Sequence, residues 1–182
     1  EFLPTVHGFD EFFGYLYHLD AMEDPAHPNY PQDLLDKVGP RNMVHSWASD
    51  KNGPTVMPRW GKVGKQKITD TGPLDRKPML TCEDEFVPAA QDFIKRQEKA
   101  GKPWFVWLNT THMHCSTHTK KKSLGQAGLW QSNYHDTMID HDKNVGEMLD
   151  FLDEMGLAED TFVQYSTDNG PHCNTWPHAG TT

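Results

Sequence analysis

Between Phe86 and Ile94 the apolar positions recur with a helical period: Phe86, Ala89, Ala90, Phe93 and Ile94 share one face. Thr81-Cys82-Glu83-Asp84 ahead of them has the form of a helix start, with acidic groups near the positive end of the dipole, and Gly101 suits the stop. Pro88 fits such a helix only inside its first turn, where no amide hydrogen bond is lost. After Pro103 the pattern changes to the unbroken apolar run Trp104-Phe105-Val106-Trp107-Leu108, which predicts a strand covered on both faces. Tyr134, Met138, Val145, Met148, Leu149, Leu152 and Met155 then predict a second helix ending at Gly156, and Thr161 to Tyr165 predicts a second strand. A strand, a crossover bearing a long helix and another strand is the connection of parallel neighbours in an α/β sheet.

The first 80 residues lack this regularity. Pro25, Pro28 and Pro31 interrupt a stretch that cannot be one helix, so residues 1–80 read as irregular excursions over a surface. Gly8 to Tyr15 is a compact aromatic and glycine segment, and Lys62 to Lys67 is a short basic patch whose simplest reading is a solvated loop.

Composition bounds the function classes. With 36% hydrophobic and 11% aromatic residues, 182 residues can bury a core. The net charge of −9 argues against a nucleic-acid partner, which would require lysines and arginines to displace counterions. An anionic substrate stays possible if a bound cation reverses the local field. Cys82, Cys115 and Cys173 form no CxxC pair and no disulfide framework. No apolar run is long enough to cross a bilayer, and Glu1-Phe2-Leu3-Pro4 does not resemble a secretion signal. Thr181-Thr182 follow a Gly-rich turn with no terminal element, so the chain is expected to be an internal piece of a longer protein, periplasmic or secreted if a signal lies upstream.

In open parallel sheets ligands bind beyond the carboxyl ends of the strands, which points to the residues after Leu108 and after Tyr165. The first loop carries His112, His114, His118 and Lys120; the second carries Asp168 and Asn169, then His172 and His178. Asp168 and Asn169 offer oxygen donors on a turn relaxed by Gly170, a combination that suits a hard divalent ion, although Asp-Asn-Gly is also an ordinary turn. His112 and His114 alternate, so a continuing strand would place both on one face, where an imidazole can exchange a proton near neutrality. For any one of the eleven histidines a surface or satisfied role is the simpler reading. A zinc site from His112, His114, Cys115 and His118 ranks low, because all four would come from one short loop.

Taken together these residues resemble the type I sulfatase family of the alkaline phosphatase superfamily, its bacterial arylsulfatase branch in particular. Leu3 to Gly14 is similar to the stretch after that family's first active-site region. Phe105 to His114 is similar to its central strand and histidine loop, and Tyr165 to Gly170 to its metal-binding turn. The resemblance implies an alkaline-phosphatase-like α/β fold, a parallel-sheet sandwich with helices on both faces, incomplete in this chain. Residues 1–182 would be the central part of the catalytic domain, with 1–80 as excursions and 81–182 as the helix-strand-helix-strand core. It also implies hydrolysis of a small-molecule sulfate ester and a divalent cation, calcium first and magnesium second, with Asp168 and Asn169 matching two metal ligands. His114 would match the histidine that contacts the sulfate or assists the leaving oxygen. His112, His118 and Lys120 would lie on the substrate side.

The family's nucleophile is a formylglycine made within Cys/Ser-x-Pro-x-Arg, and that motif is absent from these 182 residues. It is expected upstream, so the isolated chain is expected to be inactive. Two alternatives stand beside this reading: a phosphate or phosphonate ester hydrolase of the same fold, and a non-catalytic binding module.

Overall fold

The computed structural model describes residues 3–15, 43–53, 56–57, 61–70, 80–112, 114 and 118–170. The chain divides into two compact units, Glu1–Met79 and Leu80–Thr182.

The first unit is more regular than its sequence texture predicts. Strands β1 (Glu11–Gly14), β2 (Val44–Ala48) and β5 (Gln66–Asp70) form an antiparallel sheet in the order β1-β2-β5, and β3 (Val56–Met57) pairs with β4 (Gly61–Lys62). In the sheet, Glu11 faces Trp47 across one ladder and Trp47 faces Lys67 across the other. The hydrophobic pattern conceals these strands because several of their buried positions are polar. Ser46 and Gln66 are buried together with Thr5 of the preceding 3-10 turn, Pro4–Val6. Thr5 Oγ1 bonds Ser46 Oγ at 2.9 Å and donates to Gln66 Oε1, while Gln66 Nε2 donates to the Val63 carbonyl at 2.5 Å. Buried polar groups satisfied in this way fix strand register without an apolar alternation. The basic patch is not one solvated loop: Lys62 ends β4, and Lys67, on β5, lies over the Trp47 ring at 5.6 Å.

The second unit is built on two helices. Helix α1 spans Glu83–Ala100, buries Glu83, Phe86, Val87, Ala90 and Ile94 at helical spacing, and ends on Gly101, whose φ of 61° lets Gly101 and Lys102 return amides to Gln97. Pro88 lies in the second turn rather than the first. It therefore removes one helical hydrogen bond, on an exposed position where water can serve the freed Asp84 carbonyl. Helix α2 spans Asn133–Glu154, with His135 Nδ1 reached by the Ser132 amide at 3.4 Å and with Gly156 at φ 69° beyond its end. Ile94, Phe151 and Leu152 form the common core, with Trp104, Val106, Met148 and Leu157 packed against it. Each such side chain, fully buried, stabilises the fold by about 1.5–3 kcal/mol.

Trp104 to Leu108 follows α1 with a strict period of two: Trp104, Val106 and Leu108 are half-buried and the residues between them exposed. The alternation is the one a strand would give, but the segment is assigned to no strand and joins no ladder among the described residues. The expectation of burial on both faces is corrected accordingly, since Phe105 is 70% and Trp107 69% exposed. Thr161 to Tyr165 likewise enters no ladder among the described residues, and Phe162 is 89% exposed. The predicted face of α2 is only partly covered, with Met138, Leu149 and Met155 exposed. The described sheets are antiparallel; the segments expected to form the parallel layer carry its apolar sequence but not its pairing.

Candidate active site

The loop after Leu108 is held from below by the first turn of α1. Glu83, only 2% exposed, turns its carboxylate away from solvent. Its Oε1 accepts the amide N–H groups of Thr111 at 2.5 Å and His112 at 3.2 Å, together with the Thr111 hydroxyl. Cys82 Sγ lies 3.4 Å from the same hydroxyl. One residue further along α1, Asp84 pairs with Lys120 at the far end of the loop.

The chain bends at Thr111, directly before His112. His112 is buried and His114 half-buried. Burial lowers the His112 pKa below its ordinary 6.5, which the carboxylates of Glu83 and Asp140 oppose and His141 and Lys120 reinforce. Its Nδ1 has no hydrogen-bond partner among the described residues. His118 and the side chain of Lys120 are also half-buried.

His141, on α2, links this loop to the segment before Asp168. Its Nδ1 lies 3.1 Å from Thr110 Oγ1 and its Nε2 lies 3.0 Å from the Tyr165 hydroxyl. Thr110 spends its own proton on the His112 carbonyl, at 3.1 Å. The network therefore assigns His141 as an Nδ1–H donor to Thr110 and an Nε2 acceptor from Tyr165.

Asp168 and Asn169 occupy an exposed bend. Thr167 Oγ1 donates to the Asn169 carbonyl at 2.8 Å and lies 3.5 Å from Asp168 Oδ1, and both residues are exposed. A carboxylate and an amide oxygen side by side suit a hard cation, yet two donors are well short of the six to eight oxygens that calcium takes. Among the described residues no group of three or more His, Cys, Asp or Glu is placed to hold a metal; His112, His114 and His118 do not form one. Cys115, His172 and His178 lie outside the described residues.

Sequence reasoning missed Glu83 and His141. Glu83 carries a weak signal, as an acidic residue three positions before an apolar helical face. His141 carries none, because a lone histidine on a long helix is ordinarily a surface residue.

Comparison with known proteins places these features. A sequence model of the family described as Sulfatase matches residues 3–182. The chain is 26% identical over 181 residues to N-acetylgalactosamine-6-sulfatase of Canis lupus familiaris, covering 99% of this chain and 30% of that protein. It is 23% identical over 180 residues to arylsulfatase A of Bos taurus, covering 98% and 32%. The crystal structure of the PsFucS1 sulfatase from Pseudoalteromonas sp. superposes with a TM-score of 0.72 at 22% identity, over 98% of this chain and 34% of that one, which shows a shared fold. The chain thus spans about a third of the length of the relatives it matches. The architecture is therefore part of the alkaline-phosphatase-like sulfatase fold, and with nearly every residue matched by the family model, the chain belongs to the Sulfatase family.

Proposed function

We propose that this chain contributes the histidine side and part of the cation side of a sulfate-ester hydrolase active site. The observation that carries the reading is the His141 bridge. One imidazole, bonded to Thr110 and to Tyr165, ties together the two segments that end in His114 and in Asp168-Asn169.

In this reading Asp168 and Asn169 hold a divalent cation, calcium in preference to magnesium because exposed oxygens on a bend tolerate irregular coordination. When bound, that cation would supply positive charge beside the sulfate oxygens. His114, half-buried beyond the Glu83-anchored backbone, donates a hydrogen bond or a proton toward the ester oxygen. Burial of His112 favours support of the loop over direct substrate contact. Lys120 is engaged by Asp84, which turns its charge toward the loop's own frame, and His118 stays nearest to a substrate-side role. The nucleophile is supplied by residues other than these, since no Cys/Ser-x-Pro-x-Arg occurs here. The substrate is a small sulfate ester.

The test is a paired assay of the longer polypeptide that contains this chain, with an aryl sulfate and the matching aryl phosphate, before and after chelation. Hydrolysis of the sulfate in preference to the phosphate, lost on chelation and restored by calcium, is expected. Residues 1–182 alone should give no turnover. A preference for the phosphate, or no turnover of either compound, would overturn the reading.

A further inference from the structure

Two adjacent acidic residues in the first turn of α1 grip opposite ends of the histidine loop. Glu83 takes two consecutive backbone amides, Thr111 and His112, plus the Thr111 hydroxyl, all on Oε1, across 28 to 29 residues of sequence. Asp84 takes Lys120 Nζ, 36 residues away. Between these anchors lie His114 and His118.

Helix electrostatics alone does not account for this arrangement. Asp84 and Glu85 already place negative charge at the helix N-terminus from exposed positions, where hydration is kept. Glu83 instead gives up solvent almost completely, and its Oε2 has no hydrogen-bond partner among the described residues. Burying a carboxylate with one oxygen unserved is costly unless it fixes something in return. What it fixes is backbone: two successive amides that set the path of the chain immediately before His114.

We infer that Glu83 and Asp84 act as a clamp that sets the position of the histidine loop, Glu83 being a positioning residue for His114 and Asp84 steadying the loop's return. The inference rests on the reading of His114 given above. The clamp works through geometry: the carboxylate orients Thr111 and His112, and their backbone delivers His114 two residues later. Displacements of about 1 Å at this distance from the reacting atoms are enough to cost on the order of a hundredfold in rate.

The experiment compares wild type, E83A, E83Q, T111V, D84A and H114A in the longer polypeptide. It measures kcat and KM on an aryl sulfate, amide hydrogen exchange over residues 108–120, and melting temperature. For E83A a kcat about 10- to 100-fold lower, with KM changed less than about threefold, is expected. Exchange at Thr111 and His112 should quicken. E83Q keeps an oxygen for the same donors and should stay within about fivefold of wild type, a rescue that simple loss of stability would not give. D84A should quicken exchange at residues 118–120 and lower kcat by roughly two- to fivefold, the smaller effect expected of a more exposed pair. Should E83A fail to fold, T111V removes one of the three donors and should still lower kcat and quicken exchange at His112. Wild-type exchange at Thr111 and His112 in E83A or T111V would overturn the clamp, as would an unchanged kcat despite quickened exchange. Wild-type activity in H114A would instead overturn the reading of His114, and the exchange measurement would still judge the clamp by itself.

Discussion

The two loops of the candidate site are held in different ways. The histidine loop is anchored by a buried carboxylate on its backbone and an ion pair at its far end, both from α1. Among the described residues the Asp168-Asn169 bend is exposed and is met by the neighbouring Thr167 hydroxyl, with no anchor from a distant element. The difference is what a site divided between a proton-handling side and a cation side would show. An imidazole must be in place before substrate arrives, because its effect depends on distance and angle. Carboxylate and amide ligands are drawn into order by the ion itself.

The sharpest way to break this comparison is to disable each half in the longer polypeptide and ask which property is lost. H114A should lower kcat by about 10²- to 10⁴-fold, the range for loss of a general acid or base, while calcium binding measured by calorimetry stays as in wild type. Substituting Ala for both Asp168 and Asn169 should instead weaken calcium by at least about 10- to 100-fold, the loss already seen when only an outer-shell partner is removed. If H114A abolished calcium binding, or the double variant left it intact, the division of labour would fail.

A smaller effect sharpens the link between the halves. H141F keeps the ring volume and removes both hydrogen bonds, one to Thr110 and one to Tyr165. Each neutral hydrogen bond contributes about 1 kcal/mol net, so stability should fall by about 1–3 kcal/mol with kcat down roughly tenfold. Calorimetry should also show slightly weaker calcium binding, because the segment before Asp168 loses its tether. Loss of kcat alone would mean that His141 serves the histidine loop and does not couple it to the bend.

Much of the second unit is legible in the sequence because its helices are local objects. The apolar stripe of α1 and the glycines beyond both helices state where each helix lies and ends, and the structure agrees to within a residue or two. The apolar run of Trp104 to Leu108 is legible, but among the described residues its exposure only alternates with a period of two, without strand pairing and with its outer face uncovered. The sheet of the first unit is not legible. Its register is carried by Thr5, Ser46 and Gln66, polar residues whose satisfaction depends on partners 41 and 61 positions away. The same limit applies to the site. His114, Asp168 and Asn169 stand out through motif order. Glu83 looks like any acidic residue at a helix start, and its inward turn is decided by amides that only tertiary folding brings near. His141 belongs to no motif at all, and its importance lies in the two hydroxyls on either side of its ring.

The smallest predicted effect separates burial of the histidine loop from its catalytic use. His112 has a folded-state pKa held below 6.5, first by burial, with Glu83 and Asp140 pulling the other way. Between that lowered value and 6.5 the unfolded chain binds more protons than the folded one, so stability rises with pH across this window. The contribution of His112 is thus complete above about pH 6.5 and is lost as pH falls toward the folded value. Asp140 works in a separate, lower window. Burial raises its pKa, but hydrogen bonds from Ser123 and Gln126 and the charge of Lys143 outweigh it, so its contribution holds above the ordinary 3.8 and is lost only at more acid pH. Urea unfolding at closely spaced pH values from 7.5 to 4.5 should show a stability slope in wild type that flattens in H112Q. E83Q should steepen it, because removing the Glu83 charge leaves burial less opposed and drives the His112 pKa lower still. An E83Q slope equal to that of wild type would mean that Glu83 meets the loop through its backbone amides alone, leaving the imidazole outside the reach of its charge.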